Sequence, residues 1–349
     1  MSKRKARRAI LRIIALNSYL QITALNSYFT GKDVYMKKAL KTIAFLTVTA
    51  AGVIHIINRI NFSVHTVKDI TNKNNTHDYE WRFGKIHYIK KGNGNPILLL
   101  HNLTPGSSSF EFYSMIDALA EKNEVYAIDL LGYGLSEKCN MTYTNYLYVQ
   151  LITDFIKTVI GKKTTIITSG DSSSIAVMTC HNDPEVVNNM VFINPQSLYQ
   201  ANQIPTKQTK LLKWFVDTPI IGTLIYNMQT SKKSIRKQFE ENYFCDPALV
   251  DETYVKVYCE SAHQNNYKVK YAISSYLGRY MNINITHAIK EINNNITIIQ
   301  GSDVPDRETI LENYEYYNSA IESVVIEDTK LLPHLEKSQL TNNTIKCYI

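Results

Sequence analysis

The segment Ile166-Ile167-Thr168-Ser169-Gly170-Asp171-Ser172-Ser173-Ser174-Ile175-Ala176-Val177 constrains the fold more than any other. An apolar run breaks at small residues and resumes with apolar residues at once, so a strand passes into a helix through a very tight turn. Such a turn strains the backbone and lifts one side chain clear of the sheet, with small residues two before and two after it. With Gly170 and Ser174 as the small residues, that side chain is Ser172, although the usual pattern ends in Gly rather than Ser. The same spacing one residue earlier would lift Asp171 instead.

Two upstream blocks supply context. Pro96-Ile97-Leu98-Leu99-Leu100 reads as a buried strand that runs into His101-Asn102-Leu103-Thr104-Pro105-Gly106-Ser107-Ser108, a loop of mostly small residues. Val125-Tyr126-Ala127-Ile128-Asp129-Leu130-Leu131 ends in the two-glycine loop Gly132-Tyr133-Gly134. With these three blocks in this order, the chain resembles the α/β-hydrolase superfamily from about Glu80 onward. The resemblance implies an α/β fold: a doubly wound, mostly parallel sheet with an inserted helical cap. It further implies Ser172 as nucleophile, with the backbone N–H groups of Leu103 and Ser173 as oxyanion donors and His101 in a structural place. An aspartate nucleophile, as in dehalogenases and epoxide hydrolases of this fold, would fall on Asp171, but the Trp that usually follows it is Ser172 here.

The supporting residues depart from the family pattern. Val304 stands in the acid's place after the strand Ile296–Gln300, with Asp303 and Asp306 beside it as substitutes. In Leu331-Leu332-Pro333-His334-Leu335-Glu336, Leu331 stands where the family carries its histidine, leaving His334 as the rescue candidate. A serine hydroxyl near neutral pH needs a neighbouring base, and losing that base costs on the order of 10⁶ in turnover in a serine protease. Two functions remain open: a hydrolase of an ester or similar acyl compound through Ser172, Asp303 and His334, or a catalytically inactive homologue that binds or scaffolds.

Ten of the 38 Lys and Arg but one of the 31 Asp and Glu precede Thr42, which leaves 28 basic against 30 acidic residues in the remainder. A nearly neutral domain with no basic stripe gives no nucleic-acid footprint. The basic segment runs into the uncharged stretch Thr42–Ile57, a membrane-span candidate closed by Arg59; a cleaved signal peptide is the rival. Positive charge before the span predicts a single-pass anchor with the domain outside the cytoplasm. Ala15-Leu16-Asn17-Ser18-Tyr19 recurs as Ala24-Leu25-Asn26-Ser27-Tyr28, a local duplication in the basic tail.

The expected organisation is a basic extension (1–35), an anchor (36–60), a linker (61–80), the hydrolase core (81–195 and 289–349) and a helical cap (196–288) between its halves. The cap is rich in Tyr, Phe and Ile and leans toward an apolar acyl substrate. Five cysteines without close pairing imply no disulfide framework, and no Cys/His spacing suggests zinc, so neither cofactor nor metal is expected.

Overall fold

The computed structural model describes residues 33–64, 75–264 and 267–349. The Ala15–Tyr19 duplication and nearly all of the basic extension lie outside them. The chain forms two units, Met1–Ile60 and Asn61–Ile349.

One helix, α1, runs over Asp33–Val64. Its segment Leu40–Arg59 is 20 residues long with a mean hydropathy of 1.8, enough to cross a bilayer at 1.5 Å rise per residue. The threonines there are less polar than they look: the hydroxyls of Thr47 and Thr49 donate to Ile43 O and Phe45 O, each at 2.8 Å. The helix is longer than the expected anchor.

The second unit is built on an eight-stranded sheet in the order β1-β2-β4-β3-β5-β6-β7-β8. β1 (Thr76–Trp81) pairs antiparallel with β2 (Gly84–Lys91), and β2 antiparallel with β4 (Asn123–Ile128). β3 (Asn95–Leu100), β5 (Thr164–Ser169), β6 (Val187–Ile193), β7 (Ile296–Gly301) and β8 (Glu322–Ile326) join β4 in a parallel array.

Helices cover both faces of the parallel array, so its central strands are largely buried. β5 and β7 are buried at every residue. One core cluster gathers Leu98, Tyr126, Ile166, Phe192 and Ile298 on one face, and another gathers Leu99, Ala127, Ile167, Val191 and Ile299 on the other. The order of strand addition reverses about β3, whose neighbours are β4 on one side and β5 on the other. The crevice of such a sheet opens at the carboxyl ends of the strands at that switch point, so the loops after β3 and β5 meet there.

Between β6 and β7 the described residues form helices rather than strands. These are α5 (Leu198–Ala201), α6 (Lys207–Asp217), α7 (Ile221–Gln229), α8 (Lys232–Gln238), α9 (Glu252–Ser261), α10 (Lys270–Leu277) and α11 (Thr286–Glu291). Lys270 is buried and its ammonium donates to Asp217 O, Thr218 O and Thr223 Oγ1 at 3.1, 2.6 and 3.0 Å, which fixes the turn from α6 to α7.

One carboxylate ties the β3 and β4 loops together. Buried Asp129 accepts from the N–H groups of Ser109 and Leu135, each at 2.7 Å. Burial works to raise its pKa, but His87, His101 and these two N–H groups outweigh burial and hold it low. Gly134 at φ +47° lets the chain close over it, since an added Cβ would come within 2.2 Å of the carboxylate. Gly134→Ala is therefore expected to cost about 3 kcal/mol in urea unfolding, and less in an Asp129→Ala background, where the obstructing group is gone.

Candidate functional site

The turn after β5 decides which residue stands at the apex. Gly170 has φ +58°, the left-handed value that a strand-to-helix elbow demands of its central residue, whereas Ser172 is right-handed helical at φ −69°, ψ −10°. Helix α4 (Ser173–Asn182) follows directly. The apex is Gly170, two residues before the expected one, with Thr168 and Ser172 in the small positions around it.

Ser172 consequently points inward. It is fully buried, and its hydroxyl lies 3.0 Å from Leu100 O and 2.9 Å from Ser169 O, a donor shared between the ends of β3 and β5. Asp171, the residue after the apex, is partly exposed and lies against the Tyr276 hydroxyl; burial raises its pKa, and the Tyr276 interaction lowers it in part.

At an elbow of this kind the oxyanion donors are the N–H of the residue after the apex and an N–H from the loop after β3. Here those are Asp171 N and Leu103 N, and both donate to the same atom, Asn102 Oδ1, at 3.1 and 2.7 Å. A side-chain carbonyl oxygen occupies the point on which the two N–H groups converge. Asn102 also fills the volume above the apex, since a Cβ on Gly170 would lie 2.5 Å from its amide atoms. The other expected donor is engaged elsewhere: Ser173 N donates back to Gly170 O and Asp171 O within the helical turn. Asn102 is held from behind as well, its N–H donating to buried Glu111 at 3.1 Å. His101 takes a structural place, its Nε2 accepting from Leu130 N at 3.0 Å and its Nδ1 donating to Asn102 O at 2.6 Å.

No hydrogen bond connects Ser172, Asp303 and His334. Asp303 is exposed, its N–H donating to Thr329 O and its carboxylate accepting from the Cys245 thiol at 2.9 Å. That hydrogen bond, with burial and nearby carboxylates, pushes the thiol up to about 11. Val304, in the acid's usual place, is buried. Asp306 is exposed and precedes helix α12 (Arg307–Tyr317). His334 lies in the short helix α13 (Pro333–Glu336), stacked on Phe112 with ring centroids 5.3 Å apart, and neither ring nitrogen has a partner. Complete burial drives its pKa down to about 3, so the ring is neutral.

Leu331 packs against an apolar cluster of Phe239, Tyr243, Tyr258 and Leu335. Its carbonyl and that of Lys330 accept from Asn194 Nδ2, each at 2.9 Å, while Glu336 accepts from Lys330 N, Cys245 N and Asp246 N. The loop is thus fastened on one side to the end of β6 and on the other to the segment after α8. A cleft opens beside the β3 loop, lined by Phe110, Tyr113, Ile116, Leu135 and Val257, and neither Gly170 nor Ser172 lines it.

This architecture is the α/β-hydrolase fold. Among solved structures, a serine hydrolase involved in carbazole degradation superposes with a TM-score of 0.63 at 16% identity, covering 78% of this chain and 97% of that one. The epoxide hydrolase CorEH gives 0.62 at 18% identity over 78% and 97%. Among curated proteins, 2-hydroxy-6-oxo-6-(2'-aminophenyl)hexa-2,4-dienoic acid hydrolase of Metapseudomonas resinovorans is 30% identical over 118 residues, 33% of this chain and 40% of the relative. A cis-3-alkyl-4-alkyloxetan-2-one decarboxylase of Shewanella oneidensis is 24% identical over 147 residues, 40% and 44% of the two chains. The chain matches less than half the length of these curated relatives. No protein-family model matches it.

Two variants probe the site. Asn102→Leu deprives two N–H groups of their acceptor and is expected to cost about 2 kcal/mol in denaturant unfolding, whereas an elbow loose enough to rehydrate would lose almost nothing. His334→Phe tests the neutral buried imidazole. The native pKa is depressed, so below pH 6.5 the unfolded chain binds the proton that the native chain refuses, and stability falls as pH drops toward 3. Removing the ring should gain about 2 kcal/mol at pH 5 relative to its effect at pH 8, with the two unfolding curves compared at both pH values.

Proposed function

We propose that this chain keeps the α/β-hydrolase fold without its nucleophilic chemistry, and serves as a membrane-anchored binding or scaffold protein. The observation that carries the reading is Asn102 Oδ1 bound to both Leu103 N and Asp171 N. An incoming carbonyl would have to displace an acceptor already held by two hydrogen bonds in an elbow whose apex, Gly170, has no side chain to attack with. Val304 and Leu331 in the acid and base places support it, since neither can hold or move a proton.

Leu40–Arg59 acts as a retained single-pass span, and the basic residues before it put the domain outside the cytoplasm. The relatives' names describe action on small molecules, which favours a small-molecule ligand over a nucleic acid.

Those names also favour a second reading, hydrolysis of an ester or acyl compound through Ser172. That reading needs the hydroxyl to leave Leu100 O and Ser169 O and to find a base. A fluorophosphonate probe separates the two. The expected outcome is no labelling of the folded protein, alike for wild type and Ser172→Ala. Labelling that disappears in Ser172→Ala would overturn the inactive reading.

A further inference from the structure

Helix α6 (Lys207–Asp217) is inside out. Its side chains turned to the protein are largely polar: Thr209 Oγ1 donates to Gly278 O at 3.2 Å, and the Lys213 ammonium, on a side chain only 13% exposed, pairs with Asp217 at 2.6 Å. Val216 is its only buried residue. Leu211, Trp214 and Phe215, which share one face at 3.6 residues per turn, are 63%, 63% and 39% exposed. A surface helix of a globular protein orients the other way, with its apolar stripe on the core.

The apolar surface continues onto α7 (Ile221–Gln229), where Ile221 and Met228 are also exposed. The two helices are close: a Cβ on Gly222 would lie 2.1 Å from Val216 O, and Lys270 clamps the turn between them. The patch is therefore a fixed part of the fold. Lys207 and Lys210 border it, both exposed, with no carboxylate partner among the described residues.

We propose that α6 and α7 dock on a lipid surface, with Leu211, Trp214 and Phe215 entering the boundary between headgroups and acyl chains and Lys207 and Lys210 facing anionic headgroups. An apolar face containing Trp, Phe and Leu beside lysines is the pattern of an interfacial helix. The same chain carries a segment able to cross a bilayer, so a membrane is the apolar phase to which this domain would be delivered. Exposed apolar patches with a cationic border otherwise cost solubility without return. The inference rests on the membrane-anchored part of the reading above and not on its catalytic part.

Tryptophan fluorescence tests it, because Trp81 is buried with its indole N–H on Asp154 at 2.9 Å and only Trp214 is exposed. The full chain is mixed with vesicles of phosphatidylcholine and a minority of phosphatidylserine, brominated on the acyl chains. Expected are a blue shift and bromine quenching that vanish in Trp214→Phe and in the doubly substituted Leu211→Glu, Phe215→Glu protein, with circular dichroism confirming that both variants fold. Resistance of the chain to alkaline extraction reports the span separately. Quenching without such resistance keeps the docking face and removes the anchor. Resistance without quenching overturns the docking face, as does the absence of both. Shielding of Trp214 that instead depends on protein concentration would assign the face to a second copy.

Discussion

Asn102 Oδ1, held between Leu103 N–H and Asp171 N–H, is the interaction on which the character of this molecule turns. The fold brings the loop after β3 and the turn after β5 together at the sheet's switch point and leaves two backbone donors aimed at one spot. In a working hydrolase that spot is reserved for charge that develops during reaction. Here a neutral amide oxygen accepts from both donors, which is the observation behind the proposed inactive reading.

The neighbouring groups follow the same logic. Ser172 ties the ends of β3 and β5 through Leu100 O and Ser169 O, His101 fixes the loop behind Asn102 from both ring nitrogens, and Asp129 closes the glycine loop around it. Every one of these polar groups is spent on holding backbone. Groups engaged in this way help to hold the carboxyl edge of the sheet in one arrangement.

Much of the fold was legible in the chain. The three blocks of apolar run and small-residue loop carried the resemblance that implied a mostly parallel sheet, and the interruption of the strand-helix rhythm after residue 195 pointed to the helical insertion. The substitutions of Val304 and Leu331 could be read as well, because they fall in blocks whose flanking residues, Gly301 and Pro333 to Glu336, keep the register. The elbow register was harder. Three consecutive serines after Gly170-Asp171 offer more than one frame of small residues, and spacing alone favoured Ser172. The available signal was conformational: of these residues Gly170 alone takes φ > 0 without penalty, so a glycine directly after the strand marks the apex.

The sequence by itself determined which residue types are available at the carboxyl edge of the sheet, with leucine and valine standing where the resemblance would put the base and the acid. It also marked the uncharged stretch Thr42–Ile57 as a candidate span, since hydropathy and length are local properties. Only the tertiary structure decided that Asn102 Oδ1 takes the N–H groups of Leu103 and Asp171, that Ser172 faces inward, and that α6 turns its apolar side outward. Each of these depends on the direction of a side chain relative to segments tens of residues away. Periodicity finds a helix and its apolar stripe, but the packing of the rest of the chain determines which side of that stripe meets protein.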